Sequence, residues 1–449
     1  MAAERSHQLS PQRAWRGRLG ATLGAALLGL QLFLPPAAGP LLAAPRTDAA
    51  APISPAPPPL QPWIDATQAG GTLNVPAGTY SGPVLITRPI VIDGRGEVVV
   101  SGGGKGSVIT VRAEGVTLRN LRVTGSGDSH DSIDSGLLLE KTNAATIENN
   151  ALDDVLFGIT LQQSNDNRIA GNRIRSRPVD SADRGDGLRL WYSTGNRIEG
   201  NDIAVIRDIT VSNSPRNQFV GNTVRDSRRA MNLLFSHRTL IEGNLFDKNS
   251  TGITTLNSDG LVIRRNKIMH AMDASGAGIA LKESSAALVH GNEIIHCAVG
   301  VMADSALHPT NRVALIGNRI AHNITGINFY GERGGRLVIG NRFEHNLWQA
   351  LVGGEEGRDG EGAHDWRGNY WDDYEGFDRD SDGVGDTPYE IWAYSDRIWM
   401  DTPMAKFFRS SPLLELLDFL ERLAPFAAPR LILRDAQPRA HGTLAQTAK

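Results

Sequence analysis

The chain has one cysteine, Cys297, in 449 residues, so no intrachain disulfide can form and the fold must rest on packing and hydrogen bonds. In an exported chain a lone cysteine reads as a small buried hydrophobe rather than a reactive thiol. An excess of one charge is also missing. The 46 Lys and Arg nearly balance the 49 Asp and Glu, for a formal net charge of −3, which excludes the electrostatic footprint of a nucleic-acid binder. No helical period of 3.6 runs through residues 147–343, so helical solenoids of the armadillo type are excluded. Long apolar runs are scarce: the stretch 19–34 is too short and interrupted for a comfortable membrane span of about 20 residues.

That stretch instead follows a basic segment with Arg13, Arg16 and Arg18 and precedes small residues at 37–44. This is the pattern of an export signal, cleaved or kept as an N-terminal anchor. No cysteine lies near it to carry a lipid. Residues 45–62, rich in Ala and Pro, read as a semi-extended linker. A periplasmic location is expected, with the mature protein starting near Leu60.

What the chain does have is a repeat. One phrase is Ile169-Ala170-Gly171-Asn172-Arg173-Ile174, and it returns as Ile198-Glu199-Gly200-Asn201-Asp202-Ile203 and as Phe219-Val220-Gly221-Asn222-Thr223-Val224. Its asparagine recurs at Asn150, Asn172, Asn201, Asn222, Asn244, Asn266, Asn292, Asn318 and Asn341, in steps of 21 to 29 residues. A second phrase lies between, as in Gly158-Ile159 and Gly187-Leu188, followed by apolar residues two apart. Period two marks short strands with one buried face. Two or three such strands per coil, joined by tight bends, predict an all-β, right-handed parallel β-helix solenoid. Asparagine suits the bends because it tolerates left-handed backbone and its amide can bond its equivalent one coil away, and the glycine before it allows positive φ or close backbone approach.

The ends of a solenoid need covering. Residues 60–80 are expected to cap the first coil, entered at Val84. Ser411-Pro412 followed by leucines predicts a short C-terminal amphipathic helix, read as an end cap or a dock. The expected organisation is a signal or anchor at 1–44, the linker at 45–62, and the β-helix with its cap at 63–370. An Asp-rich loop and extension follow at 371–410, then the helix and tail at 411–449.

Three groups of residues can carry chemistry. Asp128, His130, Asp131, Asp134, Asp183, Arg184, Asp186 and Arg189 supply acids and bases, though no spacing marks a catalytic pair. In the run from Asp378 to Asp386, oxygen ligands fall at Asp378, Asp380, Asp382 and Asp386, with Gly383 at the turn. This is the spacing of a structural calcium loop, save that Tyr389 stands where a glutamate belongs; the alternative is a turn whose carboxylates cap backbone N–H groups. Finally, His270, His296, His322 and His345 each lie four residues after a repeat asparagine. They should stack one above another, as a neutral structural column or as a soft-metal ladder with Met269, Cys297 and Met302 nearby.

The block Gly368-Asn369-Tyr370-Trp371-Asp372-Asp373-Tyr374, the Asp run after it and Thr387-Pro388-Tyr389 resemble the NosD family. So do the segments 185–193 and 417–425. Members of that family are periplasmic β-helices that work with an ABC transporter in maturing the copper centre of nitrous oxide reductase. The resemblance therefore implies a non-catalytic accessory protein. Its partners would be a transporter permease and ATPase, and nitrous oxide reductase or another metalloenzyme, with membrane contact through the partner. One departure is plain: where the family has a His-x-Met pattern before Tyr-Ser, this chain reads Met231-Asn232-Leu233-Leu234-Phe235-Ser236. That implies a divergent member, with the histidine column as the substitute for the lost ligands. Two other readings stay open on the fold alone. One is a carbohydrate-binding or polysaccharide-modifying β-helix of lyase or epimerase type, although the Asp-Pro-His-Asp run of mannuronan epimerases is absent. The other is a structural envelope protein.

Overall fold

The computed structural model describes residues 56–274, 276–304, 312–330, 335–352, 364–393, 419–420 and 430–440. Each coil is built from the alternation seen in the sequence. In one of them, Arg168–Ala170, Arg173–Ser176 and Leu188–Trp191 turn Ile169, Ile174, Leu188 and Leu190 inward, all at most 1% exposed. Successive coils place like on like, with Ile147, Ile169, Ile198 and Phe219 in one column, and Ile174, Ile203, Val224 and Phe246 in another. Strands in the three stacks pair in parallel because every coil returns in the same direction. The third stack holds twelve strands among the described residues. The parallel β-helix expected from the repeat is thus the architecture, with three strands per coil.

The bend between the first two stacks explains the Gly-Asn phrase, with one correction. Left-handed backbone belongs to the residue before the asparagine, such as Gly171 at φ 63° or Arg265 at φ 54°. A Cβ on Gly171 would meet the Asn149 Oδ1 at 2.5 Å, and glycine adopts positive φ without the strain that Arg265 bears at the same position. The asparagine itself turns inward. Asn150 N–H and Nδ2 both donate to Asn172 Oδ1, at 3.0 and 3.1 Å, while Nδ2 also donates to Leu118 O. The pattern repeats coil by coil to Asn369. Each buried amide is thereby saturated.

At the N-terminal end the short helix Gln61–Ala66 lays Ile64 on the core. The strands Thr72–Asn74 and Gly78–Ser81 already pair in parallel with Val91–Ser101. The solenoid therefore starts at Thr72, ahead of Val84. At the other end the ladder closes on Asp435, a fully buried carboxylate. It accepts from Asn369 N–H and Nδ2 and from Trp371 Nε1, at 2.9–3.1 Å. Asp435 arrives on Arg430–Asp435, which pairs antiparallel with Tyr389–Ala393. Tyr389 stacks on Trp371 at 4.4 Å, completing the cover. Of the segment proposed as an amphipathic helix, all but Phe419 and Leu420 lies outside the described residues, as does the targeting segment. No described helix is long and apolar enough to cross a membrane.

Candidate functional site

The bend between the second and third stacks falls four residues after each ladder asparagine. It too takes positive φ, at Asp226, Lys248, His270, His296, His322 and His345 among others. Left-handed backbone favours short polar and imidazole side chains, and here the side chain points out of the coil. The four histidines therefore form the column expected from their spacing. Ring centroids are 5.4, 5.1 and 5.0 Å apart from His270 to His345, and the tilt between planes grows from 2° to 21° to 39°. Carboxylates bracket the column. His270 Nδ1 lies 2.6 Å from Asp247 Oδ1, and His345 Nδ1 lies 2.9 Å from Asp372 Oδ2. In the middle, partial desolvation and then the neighbouring His322 and His270, with Arg319, hold the His296 imidazole below its ordinary value.

Face-to-face rings put their nitrogens at parallel edges, so the column offers a row of contacts rather than one convergent cage. The neighbouring sulfurs divide. Met269 sits half-buried just before His270, whereas Met302 lies on the outer face of the third stack. Cys297 is fully buried, its Sγ near Ile295 O at 3.4 Å, and burial pushes its thiol up to about 11. A thiol so placed and so protonated is a core residue, not a copper ligand.

Among the described residues, one group brings three carboxylate, imidazole or thiol ligand atoms within 4.8 Å of one another: Asp378, Asp380 and Asp382. The turn that gathers them has Ser381 at φ 58° and Gly383 at φ 87°. Their carboxylates also cap it: Asp378 accepts from the N–H of Asp382 and Gly383, and Asp382 from that of Val384. Asp386 is turned aside and accepts the Arg379 N–H at 2.9 Å. The loop is pinned to the end of the solenoid by the hydrogen bonds Gly385 N–H to Pro438 O and Ala440 N–H to Gly383 O.

The acid and base candidates come together only in part. The loops 126–134 and 177–186 touch, with His130 Nε2 3.1 Å from Asp183 O, and the Arg177 guanidinium on Ser126 O and Gly127 O. Asp128, Asp131 and Asp183 are exposed, Asp134 caps the Ser129 N–H, and the Arg184 Nε reaches Val179 O. Asp186 is 1% exposed, between Arg189 Nη1 at 3.3 Å and Arg207 at 3.1 Å. Burial raises its carboxyl, opposed by Arg207. Held in this way it is an anchor for cations rather than a free base. Sequence reading missed Arg207 and Arg228, which continue the Asp186 position, and Asp208 and Arg229, which stack one residue further on. The signal was their spacing: Asp186, Arg207 and Arg228 are each 21 residues apart, one coil. Asp247 and Asp372, which close the histidine column, were also missed as its partners.

Comparison with known proteins places the chain. The model of the NosD family, described as periplasmic copper-binding protein, matches residues 96–182 and 175–376. Two relatives are each named probable ABC transporter binding protein NosD. The one from Pseudomonas aeruginosa is 29% identical over 140 residues, covering 31% of this chain and 33% of that protein. The one from Stutzerimonas stutzeri is 29% identical over 136 residues, covering 30% and 31%. The matched stretch thus spans about a third of the length of these relatives. Among solved structures, the A-module of a mannuronan C-5 epimerase from Azotobacter vinelandii is similar with a TM-score of 0.54 and 14% identity. The match covers 69% of this chain and 93% of that one. That likeness is one of fold.

Proposed function

This chain belongs to the NosD family, and from that premise we propose that it is an exported accessory protein that works beside an ABC transporter and hands copper to a metalloenzyme, nitrous oxide reductase or a relative of it. Residues 1–44 direct its export. The observation that carries the copper part is the column His270, His296, His322 and His345, capped at each end by a carboxylate. Imidazole is a good ligand for copper. A carboxylate on Nδ1 is what orients the ring of a metal-binding histidine and leaves Nε2 for the ion, and Asp247 and Asp372 stand in that place. Parallel rings give one or two ligands at a time rather than a closed cage, which suits transfer of a cargo better than storage. The row of four rungs provides a path along the solenoid.

Copper(I) titration of the purified exported chain tests this, with the His270/His296/His322/His345→Ala variant beside it. Binding that disappears in the variant, with circular dichroism unchanged, supports the column. Binding that survives moves the site elsewhere, and a wild-type chain that binds no copper ends the copper reading.

A further inference from the structure

The outer face of the third stack carries charge that the repeat does not require. Asp186 and Asp208 are 1% and 2% exposed, and buried carboxylates are costly unless something needs them. One coil beyond Asp208 its position is Arg229, and the next coil has Thr251. Arg189 and Arg207 hold Asp186, and Arg228 and Arg229 hold Asp208. Four guanidiniums against two carboxylates leave two positive charges on one face. The strand Arg229–Leu234 is bulged here, with Ala230 and Met231 opposite Ile209, which turns Arg228 and Arg229 towards Asp208. Bulges of this kind concentrate beside functional sites.

The cations have suitable neighbours. Arg189 and Trp191 alternate with the buried Leu188 and Leu190, so both stand on the outer face. Thr210 lies one coil beyond Arg189, and Gln162 and Ser212 flank Trp191, one coil to either side; Thr160, on the other side of Arg189, is buried against Ser135. The inserted loops 126–134 and 177–186 lean on each other at the edge of this face, while the coils that carry Arg207 and Arg228 have no insertion there. In solenoids, insertions gather on the binding face. The exposed tips of the loops are acidic, with Asp128, Asp131, Asp180 and Asp183; they repel an anion, and the attraction on this face comes from the arginines.

We infer that this face binds an acidic oligosaccharide, its uronate carboxylate on the arginines and a sugar ring against Trp191. Guanidinium is the group of choice for a carboxylate, and hydroxyls and amides one coil apart suit a chain of sugar hydroxyls better than a folded protein surface. The inference goes beyond copper handling and does not depend on it.

The test is calorimetric titration of the full chain with a galacturonate trisaccharide, beside maltotriose and a triglutamate peptide. The uronide should bind, and maltotriose should bind about tenfold more weakly or not at all, for want of the charge-assisted hydrogen bonds. Arg229→Gln, which leaves Arg228 on Asp208, and Trp191→Ala should each weaken the uronide by about tenfold. Melting temperature and copper binding should stay unchanged in both. An absence of uronide binding, equal binding of maltotriose, or variants without effect would overturn the inference. Equal binding of triglutamate would overturn it too, in favour of an acidic protein partner.

Discussion

Two bends of the same coils carry stacks of polar side chains one coil apart, and the two stacks differ in almost everything else. The asparagine column is buried, runs through ten coils from Asn150 to Asn369, and gives each amide partners above and below. The histidine column is exposed, runs through four coils, and has its carboxylate partners at its ends. Recurrence at coil spacing is common to both. Repetition in a solenoid therefore does not mark function, because the fold itself repeats whatever a bend needs. Burial and hydrogen-bond saturation separate the two cases. A column the fold consumes is closed to other partners, whereas a column with open edges can meet a ligand.

Substitution tests this contrast most strongly. Asn292→Ala strands the backbone N–H and one of the two Nδ2 hydrogens of Asn266 in the core, the other still bonding Ile241 O, and should cost about 3 kcal/mol in denaturant unfolding. His296→Asn at pH 7.5, which keeps a side chain suited to left-handed backbone, should stay within about 0.5 kcal/mol of the wild type, as exposed positions do. Comparable losses at both sites would erase the distinction drawn between the columns.

The end of the asparagine ladder offers a second, smaller effect. We propose that calcium binds Asp378, Asp380 and Asp382 and clamps the loop that hydrogen-bonds to Pro438 and Ala440, just beyond the strand that ends at Asp435. Calcium at a hundred times its dissociation constant then stabilises by about 2.7 kcal/mol if unfolding of the cap is coupled to that of the coils. A melting temperature that ignores both calcium and chelator, or a calcium response that persists in Asp380→Asn, would remove the site.

Acidification should give the smallest effect. His296 is held below its ordinary value of 6.5 by desolvation, His322, His270 and Arg319, so the folded chain binds fewer protons there than the unfolded one. Its contribution is complete above about pH 6.5 and is lost as pH falls. The melting temperature should drop modestly between pH 7.5 and 5.5, and His296→Asn should reduce the drop. A profile that is flat in the wild type, or equally steep in the variant, would show that the rings do not sense one another.

Much of this was legible in the chain because neighbouring coils touch at constant spacing. Counting from each Gly-Asn gives the inward residues, the stacking of like on like, and the alignment of His270 with His296, His322 and His345. Sequence reading stopped short where charged partners hide in the repeat, as Arg207 and Asp247 do, and where partners lie off the repeat interval. Asp435 closes the ladder from 66 residues beyond Asn369, across a stretch with no repeat to count. Cys297 is the small buried hydrophobe that its isolation implied, which removes it from the soft ligands near the histidines. The glycine's positive φ and the amide pairing were both legible in the Gly-Asn phrase; what the structure adds is that the asparagine itself is not left-handed, because its amide pairs inside.

The sequence by itself determined the solenoid, its period and its family, since each follows from local alternation and a bend written many times over. Only the tertiary structure decided which stacked groups are spent on the fold and which are left open. It also decided what closes the last coil and that two buried aspartates gather four arginines. Those outcomes depend on burial and on side-chain contacts, which repeat spacing alone does not encode.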